Sequence, residues 1–134
     1  MANQQVEFEL VSPEKLLLSK SVDMVVVPGE DGDFGVLPRH APMISTVRPG
    51  VIAIYSGKEI SERIFVAGGF AEVTTERCTV LAEIAQPVSE LDKATVQQQL
   101  QDAKEDYSDA KDDAGRDAAS KQIELSEARL TAIG

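Results

Sequence analysis

Hydrophobic and polar residues follow two different patterns along the chain, and the change falls near Pro87. Before Pro87, short β-branched runs are separated by glycine and proline. Residues 6–10 alternate apolar and acidic side chains, which places Val6, Phe8 and Leu10 on one face of a strand. The run 24–27 has no polar face, so we expect a second layer to cover it. This pattern predicts an all-β sandwich or barrel with strands in 6–11, 22–27, 51–55, 64–67, 70–74 and 79–84.

The second pattern predicts a pair of helices. No proline follows Ser89, and no glycine occurs between Ser89 and Gly115. Ser89 is the expected N-cap, with Asp92 three residues later. Apolar residues then recur in steps of three and four, with a break at 112–115, in the two stripes Val96, Leu100, Ala103, Tyr107, Ala110 and Ala114, then Ala119, Ile123, Leu130 and Ile133. We therefore predict an α+β protein, with a β domain in residues 1–87 and an antiparallel two-helix hairpin in residues 88–134.

Composition and charge exclude several classes of function. The chain has 134 residues, with 13 basic and 23 acidic side chains and a formal net charge of −10, which repels nucleic acid and anionic lipid. Its single cysteine, Cys78, leaves no intrachain disulfide and no cysteine-based zinc site. No apolar run reaches the roughly 20 residues that span a bilayer, and the first residues lack the features of a signal peptide. We expect membrane association only through a partner.

The residues also argue against catalysis and metal binding. His40 is the only histidine, and no serine or cysteine nucleophile stands in a recognisable motif beside a base. With no second histidine and no cysteine nearby in sequence, we expect His40 to be a packed or interface residue rather than a metal ligand. Gly68 and Gly69 lack the lysine and hydroxyl residue of a phosphate-binding loop, so close strand packing or a bulge explains them better.

Two segments resemble a known family. Residues 28–43, PGEDGDFGVLPRHAPM, are similar to the most recognisable segment of the ATP synthase epsilon family, and residues 66–73 and 79–83 resemble its later signature. The resemblance implies a ten-stranded β-sandwich followed by two helices. It also implies a non-catalytic central-stalk subunit that couples proton flow to ATP synthesis, peripheral on the cytoplasmic face of the bacterial inner membrane. The implied partners are the gamma subunit, the c-ring and, transiently, the alpha and beta subunits.

A glycine-rich acidic segment is the first candidate site. Gly29, Gly32 and Gly35 permit a tight turn whose tip carries three acids. The residues alone leave two interpretations open, a solvated tip and a binding surface. The resemblance implies contact with the polar loops of the c-ring, with His40 at the same end, through Glu30, Asp31, Asp33 and His40.

The predicted hairpin departs from the family in two respects. The family's ATP-sensing motif has an arginine where Thr95 stands here, and a hydroxyl replaces neither its charge nor its forked donors. Asp92 is retained, but a role as the capping partner of Ser89 also explains it. We expect no required cofactor and weak or absent ATP binding. Residues 90–134 carry eleven acidic against six basic side chains, a net charge of −5, so weak inhibition of hydrolysis is expected despite Arg116, Lys121 and Arg129.

Composition and periodicity alone also permit another class of protein, a free-standing β-sandwich adaptor with a helical tail. Only the two signature segments distinguish the two interpretations. A sodium-driven synthase is equally compatible with the sequence, because the coupling ion is selected in the c-ring.

Overall fold

The computed structural model describes residues 4–13 and 16–134. The described residues form two compact units, which meet in sequence between Pro87 and Val88. The first contains ten strands, β1 Val6–Val11, β2 Leu16–Val22, β3 Met24–Gly29, β4 Gly32–Val36, β5 Met43–Thr46, β6 Gly50–Ser56, β7 Glu59–Ala67, β8 Phe70–Val73, β9 Arg77–Leu81 and β10 Ile84–Pro87. The second contains a 3₁₀ turn at Val88–Glu90 and two helices, α1 Lys93–Asp109 and α2 Asp113–Ile133.

The strands form two five-stranded sheets. Sheet A has the order β2-β1-β9-β8-β5, and sheet B has the order β10-β7-β6-β3-β4. All neighbours pair antiparallel except β1 and β9, which run parallel. The predicted ten-stranded sandwich followed by two helices is confirmed.

The inner faces of the two sheets supply the core. Phe8, Val25 and Ile52 are fully buried, and the alternation expected in β1 holds, because Val6, Phe8 and Leu10 are buried while Glu7 is exposed. Burying each such side chain stabilises the fold by about 1.5–3 kcal/mol. Cys78 also lies in this core, where burial raises the pKa of its thiol to about 12. The thiol is therefore protonated and unreactive at neutral pH.

Two of the predicted strands were wrong in extent. The run 22–27 is divided at Asp23, where the polypeptide leaves sheet A for sheet B, and Asp23 Oδ2 accepts a hydrogen bond from Gly57 N at 2.5 Å. The run 79–84 is divided after Leu81 for the same reason. Hydrophobic runs do not reveal where the backbone passes between layers, because both layers require the same apolar residues.

The connection from β7 to β8 explains the paired glycines. Gly68 and Gly69 have φ of 74° and 90°, a region that side chains disfavour. A Cβ on Gly69 would lie 1.7 Å from the carbonyl oxygen of Leu81. The predicted close approach of two backbones is therefore present, and only glycine fits it.

The hairpin unit differs from the prediction at its start. Asp92, not Ser89, is the N-cap of α1, while Ser89 lies in the preceding 3₁₀ turn. The predicted stripes are buried in part, at Val96, Ala103 and Ala119, with Ser126 and Ala132 also buried. Tyr107 is 46% exposed despite its place in the first stripe, and Ala114 belongs to α2. The buried residues are small, so the hairpin buries little apolar area.

Candidate functional site

The described residues show neither a metal-ion cluster nor a helix that could span a membrane. Within 4–13 and 16–134, no group of three or more histidine, cysteine or acidic residues is placed to hold a metal ion. In the same part of the chain, neither helix combines the length and apolar character that crossing a bilayer demands. Two surfaces of the sandwich are candidate sites, and the acids predicted from sequence form the first of them.

The acidic turn, residues 29–33, joins β3 to β4 at one end of the sandwich. Glu30 and Asp31 are exposed at its tip. The side chain of Glu30 is held in place, because its Oε2 accepts a hydrogen bond from the Thr46 hydroxyl at 2.6 Å. Asp31 has no hydrogen bond or ion pair with any residue that the structure describes. Its carboxylate is thus available to a partner.

Asp33 differs from the other two acids because it is paired within the protein. Its Oδ1 lies 2.6 Å from Nη2 of Arg48, whose Nη1 donates to the carbonyl oxygen of Gly29 at 2.6 Å. The three acids predicted as ring contacts therefore differ in environment. Sequence reasoning missed Arg48, since fifteen residues separate it from Asp33.

The structure does not bring His40 to the acidic turn. His40 follows β4 at the opposite end of the sandwich, where the neighbouring Arg39 N donates to Thr75 O at 2.9 Å. The five residues of β4 separate the two ends by about 17 Å. His40 Nδ1 lies 2.6 Å from the carbonyl oxygen of Ala41, an acceptor only, so this nitrogen carries the proton.

The outer face of sheet A carries an apolar surface that sequence reasoning did not find. Strand register aligns Leu16, Val11, Leu81 and Phe70 side by side across β2, β1, β9 and β8, and we call these four residues the apolar row. Leu16 is 56% exposed and Phe70 is 45% exposed. Ile44 on β5, 69% exposed, lies on the same face, opposite Glu72. The signal in the sequence is the pair Phe70 and Ala71, whose apolar side chains lie on opposite faces of β8.

Polar side chains border the apolar row on one side. Glu9 and Arg77 form an ion pair of 2.8 Å on the same face, and Ser21 donates to Glu7 farther along. An apolar centre with a polar border is the usual composition of a protein-binding surface.

In the hairpin unit, Asp92 is used by the helix itself. One of its oxygens accepts hydrogen bonds from Thr95 N at 3.0 Å and from Thr95 Oγ1 at 2.6 Å. The hydroxyl and the backbone amide of Thr95 together lower the pKa of Asp92. Asp92 therefore caps α1, but as the N-cap itself and not as the predicted partner of a Ser89 cap.

The three basic residues predicted to be regulatory lie on α2 but differ in environment. Arg116 pairs with Asp113, one turn before it. Lys121 is exposed, and Arg129 is half-buried, with burial lowering the pKa of its guanidinium.

Comparison with known proteins identifies the family. Residues 5–88 match the model of the β-sandwich domain of the ATP synthase Delta/Epsilon chain, and residues 92–134 match that of the C-terminal domain of the ATP synthase epsilon chain. The protein belongs to the ATP synthase epsilon chain family. The resemblance seen in the sequence is confirmed, and the free-standing adaptor is set aside.

Bacterial members of the family are similar over nearly their whole length. The protein is 54% identical to the ATP synthase epsilon chain of Rhodospirillum rubrum, covering 96% of both. It is 55% identical to that of Rhodospirillum centenum, covering 96% of this chain and 92% of the relative.

Solved structures share the fold at low identity. One subunit in the Euglena gracilis mitochondrial ATP synthase OSCP/F1/c-ring structure superposes with a TM-score of 0.85 at 23% identity, covering 97% of this chain and 82% of that one. Another, from the Tetrahymena thermophila mitochondrial central stalk and c-ring, matches with a TM-score of 0.66 at 16% identity, covering the whole of both.

Proposed function

We propose that this protein is a non-catalytic rotor subunit of the central stalk of a bacterial F-type ATP synthase, coupling proton flow through the c-ring to ATP synthesis. It acts peripherally, on the cytoplasmic face of the inner membrane. Its membership of the epsilon family supports the role. The observation that carries the proposal is the apolar row on the outer face of sheet A, because a rotor subunit requires a firm contact with another stalk protein.

The apolar row is the surface best suited to the gamma subunit. Phe70 and Leu16 expose large apolar side chains on a sheet whose opposite face is packed into the core. Such a backing keeps the surface stiff. Burial of each side chain against gamma contributes about 1.5–3 kcal/mol before the cost of association.

The substitution Phe70→Asp should weaken binding of gamma about tenfold or more, because a charge would enter the centre of the interface. Ile60→Asp is the matched control, since Ile60 is 47% exposed on β7 of sheet B. Affinity is measured by titration of purified gamma, with circular dichroism to verify folding. Equal affinities for the two variants would contradict the placement of gamma on the apolar row.

The acidic turn is the proposed contact with the c-ring. Its tip exposes the carboxylate of Asp31, which pairs with no described residue, beside Glu30, and this suits a polar ring loop with a basic residue. Asp33 is already neutralised by Arg48, and His40 lies at the other end of the sandwich. We therefore assign the contact chiefly to Asp31.

Reversal of charge in Asp31→Lys should loosen coupling and reduce proton-driven ATP synthesis. Binding to the ring should weaken about three- to tenfold at low salt, and less at high salt, where the charges are screened. Glu76→Lys makes the same charge change in the exposed β8–β9 turn and serves as the control. If both variants synthesise ATP at the wild-type rate, Asp31 does not contact the ring.

ATP is proposed to bind this subunit weakly or not at all. Thr95 offers no charge to a phosphate, and its hydroxyl is already donated to Asp92. Asp92 in turn is committed to the N-cap of α1. Neither residue is free to hold a nucleotide without weakening the helix start.

Calorimetric titration of the isolated subunit with ATP should give a dissociation constant weaker than about 1 mM. Thr95→Arg supplies the missing guanidinium and leaves the backbone hydrogen bond of the cap in place, so it should bind ATP more tightly than the wild type. A wild-type constant well below millimolar would refute the proposal.

The hairpin is proposed to be a weak inhibitor of ATP hydrolysis through transient contact with the alpha and beta subunits. Its net charge of −5 opposes approach to an acidic surface. Of the basic residues available, Arg116 is paired with Asp113. This leaves fewer positive charges for a partner than the sequence alone suggests.

Deleting residues 90–134 should change ATP hydrolysis by the assembled catalytic sector less than about twofold, because an extended state disfavoured by charge is rarely populated. Hydrolysis is compared in complexes with equal amounts of bound subunit. Activation by several-fold would show that the hairpin is a strong inhibitor.

A further inference from the structure

The acidic turn is held against the segment that passes from sheet A to sheet B. Glu30 N donates to Thr46 O, and Arg48 N donates to Pro28 O, each at 3.0 Å. Between these two hydrogen bonds, an isolated β-bridge joins Gly29 to Val47. We call this arrangement, residues 28–33 against 46–48, the turn clasp. The turn clasp connects the end of the β3–β4 hairpin to residues 46–48. Without it, that end would be held only by its own two strands.

Arg48 closes the turn clasp with two side-chain nitrogens. Nη2 contacts Asp33 at the start of β4, and Nη1 contacts the carbonyl oxygen of Gly29 at the end of β3. One guanidinium therefore spans both strands of the hairpin at the turn. A lysine has one nitrogen and cannot reproduce this planar fork.

The backbone around the turn clasp is closely packed. A Cβ on Gly50 would approach the Pro28 Cβ to 2.8 Å, and a Cβ on Gly29 would lie 2.9 Å from both Gly32 O and the Phe34 ring. The glycines allow the contact, but they provide no side chain to maintain it. The side chains that maintain it are Arg48, through its two nitrogens, and Thr46, whose hydroxyl donates to Glu30.

We propose that Arg48 is a positioning residue for the c-ring contact, with Asp33 as its fixed counter-charge, so that Asp31 is presented to the ring in one orientation. This rests on the proposed contact between the acidic turn and the ring. Asp31 carries the charge that the partner meets. Asp33 and Arg48 act through the shape of the turn.

The proposal and a simple charge argument predict opposite signs for Arg48→Gln. Removing the arginine makes the turn more acidic by one unit, so charge alone would strengthen binding to basic ring loops. Loss of positioning would weaken binding, because a mobile turn must be ordered on association. Whether Arg48→Gln strengthens or weakens binding to the ring therefore distinguishes the charge argument from the positioning proposal.

The first experiment uses the isolated full-length subunit and measures hydrogen exchange by NMR at the amides of Glu30 and Arg48. Arg48→Gln and Asp33→Asn should each speed exchange about two- to fivefold, as expected for loss of one exposed ion pair. The double variant with both substitutions should exchange little faster than either single variant. Arg48→Lys should recover part of the protection, and Arg77→Gln, which breaks the ion pair with Glu9 on sheet A, should leave both amides unchanged.

The second experiment measures binding of the same variants, with Asp31→Asn, to detergent-solubilised c-ring over a range of salt concentrations. Asp31→Asn should weaken binding and reduce its salt dependence without changing exchange. Arg48→Gln should weaken binding despite the added negative charge.

The outcomes are distinguishable. Tighter binding by Arg48→Gln, unchanged exchange, or additive effects in the double variant would overturn the positioning role. Faster exchange in Arg48→Gln together with wild-type ring binding by every variant would instead overturn the ring contact itself, and with it the assignment of Asp31.

Discussion

The packing of two apolar sheet faces is the interaction on which the rest of this sandwich depends. Strands that follow each other in sequence often lie in different sheets, so the polypeptide passes from one layer to the other at five connections. Several residues discussed above lie in these crossings. Arg48 lies between β5 and β6, His40 between β4 and β5, and Gly68 and Gly69 between β7 and β8. The core thus fixes where the crossings fall, and one of them, through Arg48, holds the acidic turn that carries Asp31.

Local patterns in the sequence were sufficient to predict strands and helices. They were not sufficient to predict which residues the fold brings side by side. Alternation in residues 6–10 indicated which face of β1 is buried, because burial on one face requires a period of two. The apolar row was invisible, since it exists only through the register of four strands. Likewise Asp33 reads as one of three exposed acids until folding places Arg48 beside it.

Closeness in sequence was misleading in two instances. His40 and Asp33 are separated by only seven positions, yet β4 takes the backbone to the other end of the sandwich between them. Ser89 and Asp92 are both good capping residues, and their spacing fits a capping box. Asp92 is the N-cap because the 3₁₀ turn at Val88–Glu90 delays the start of α1. The side chain of Asp92 then accepts a hydrogen bond from Thr95 N.

The parallel pairing of β1 with β9 has a consequence for synthesis on the ribosome. Strand β1 is made first, but in sheet A it lies between β2 and β9, and residues 7–11 find their second partner only at residues 77–81. A nascent polypeptide therefore holds β1 and β2 as a marginal two-stranded ribbon until most of the first unit has been translated. Contacts so distant in sequence also slow folding, because a large loop must close before they stabilise anything. The helices α1 and α2 follow each other directly in sequence and pack against each other, so their mutual contact needs no such loop to close.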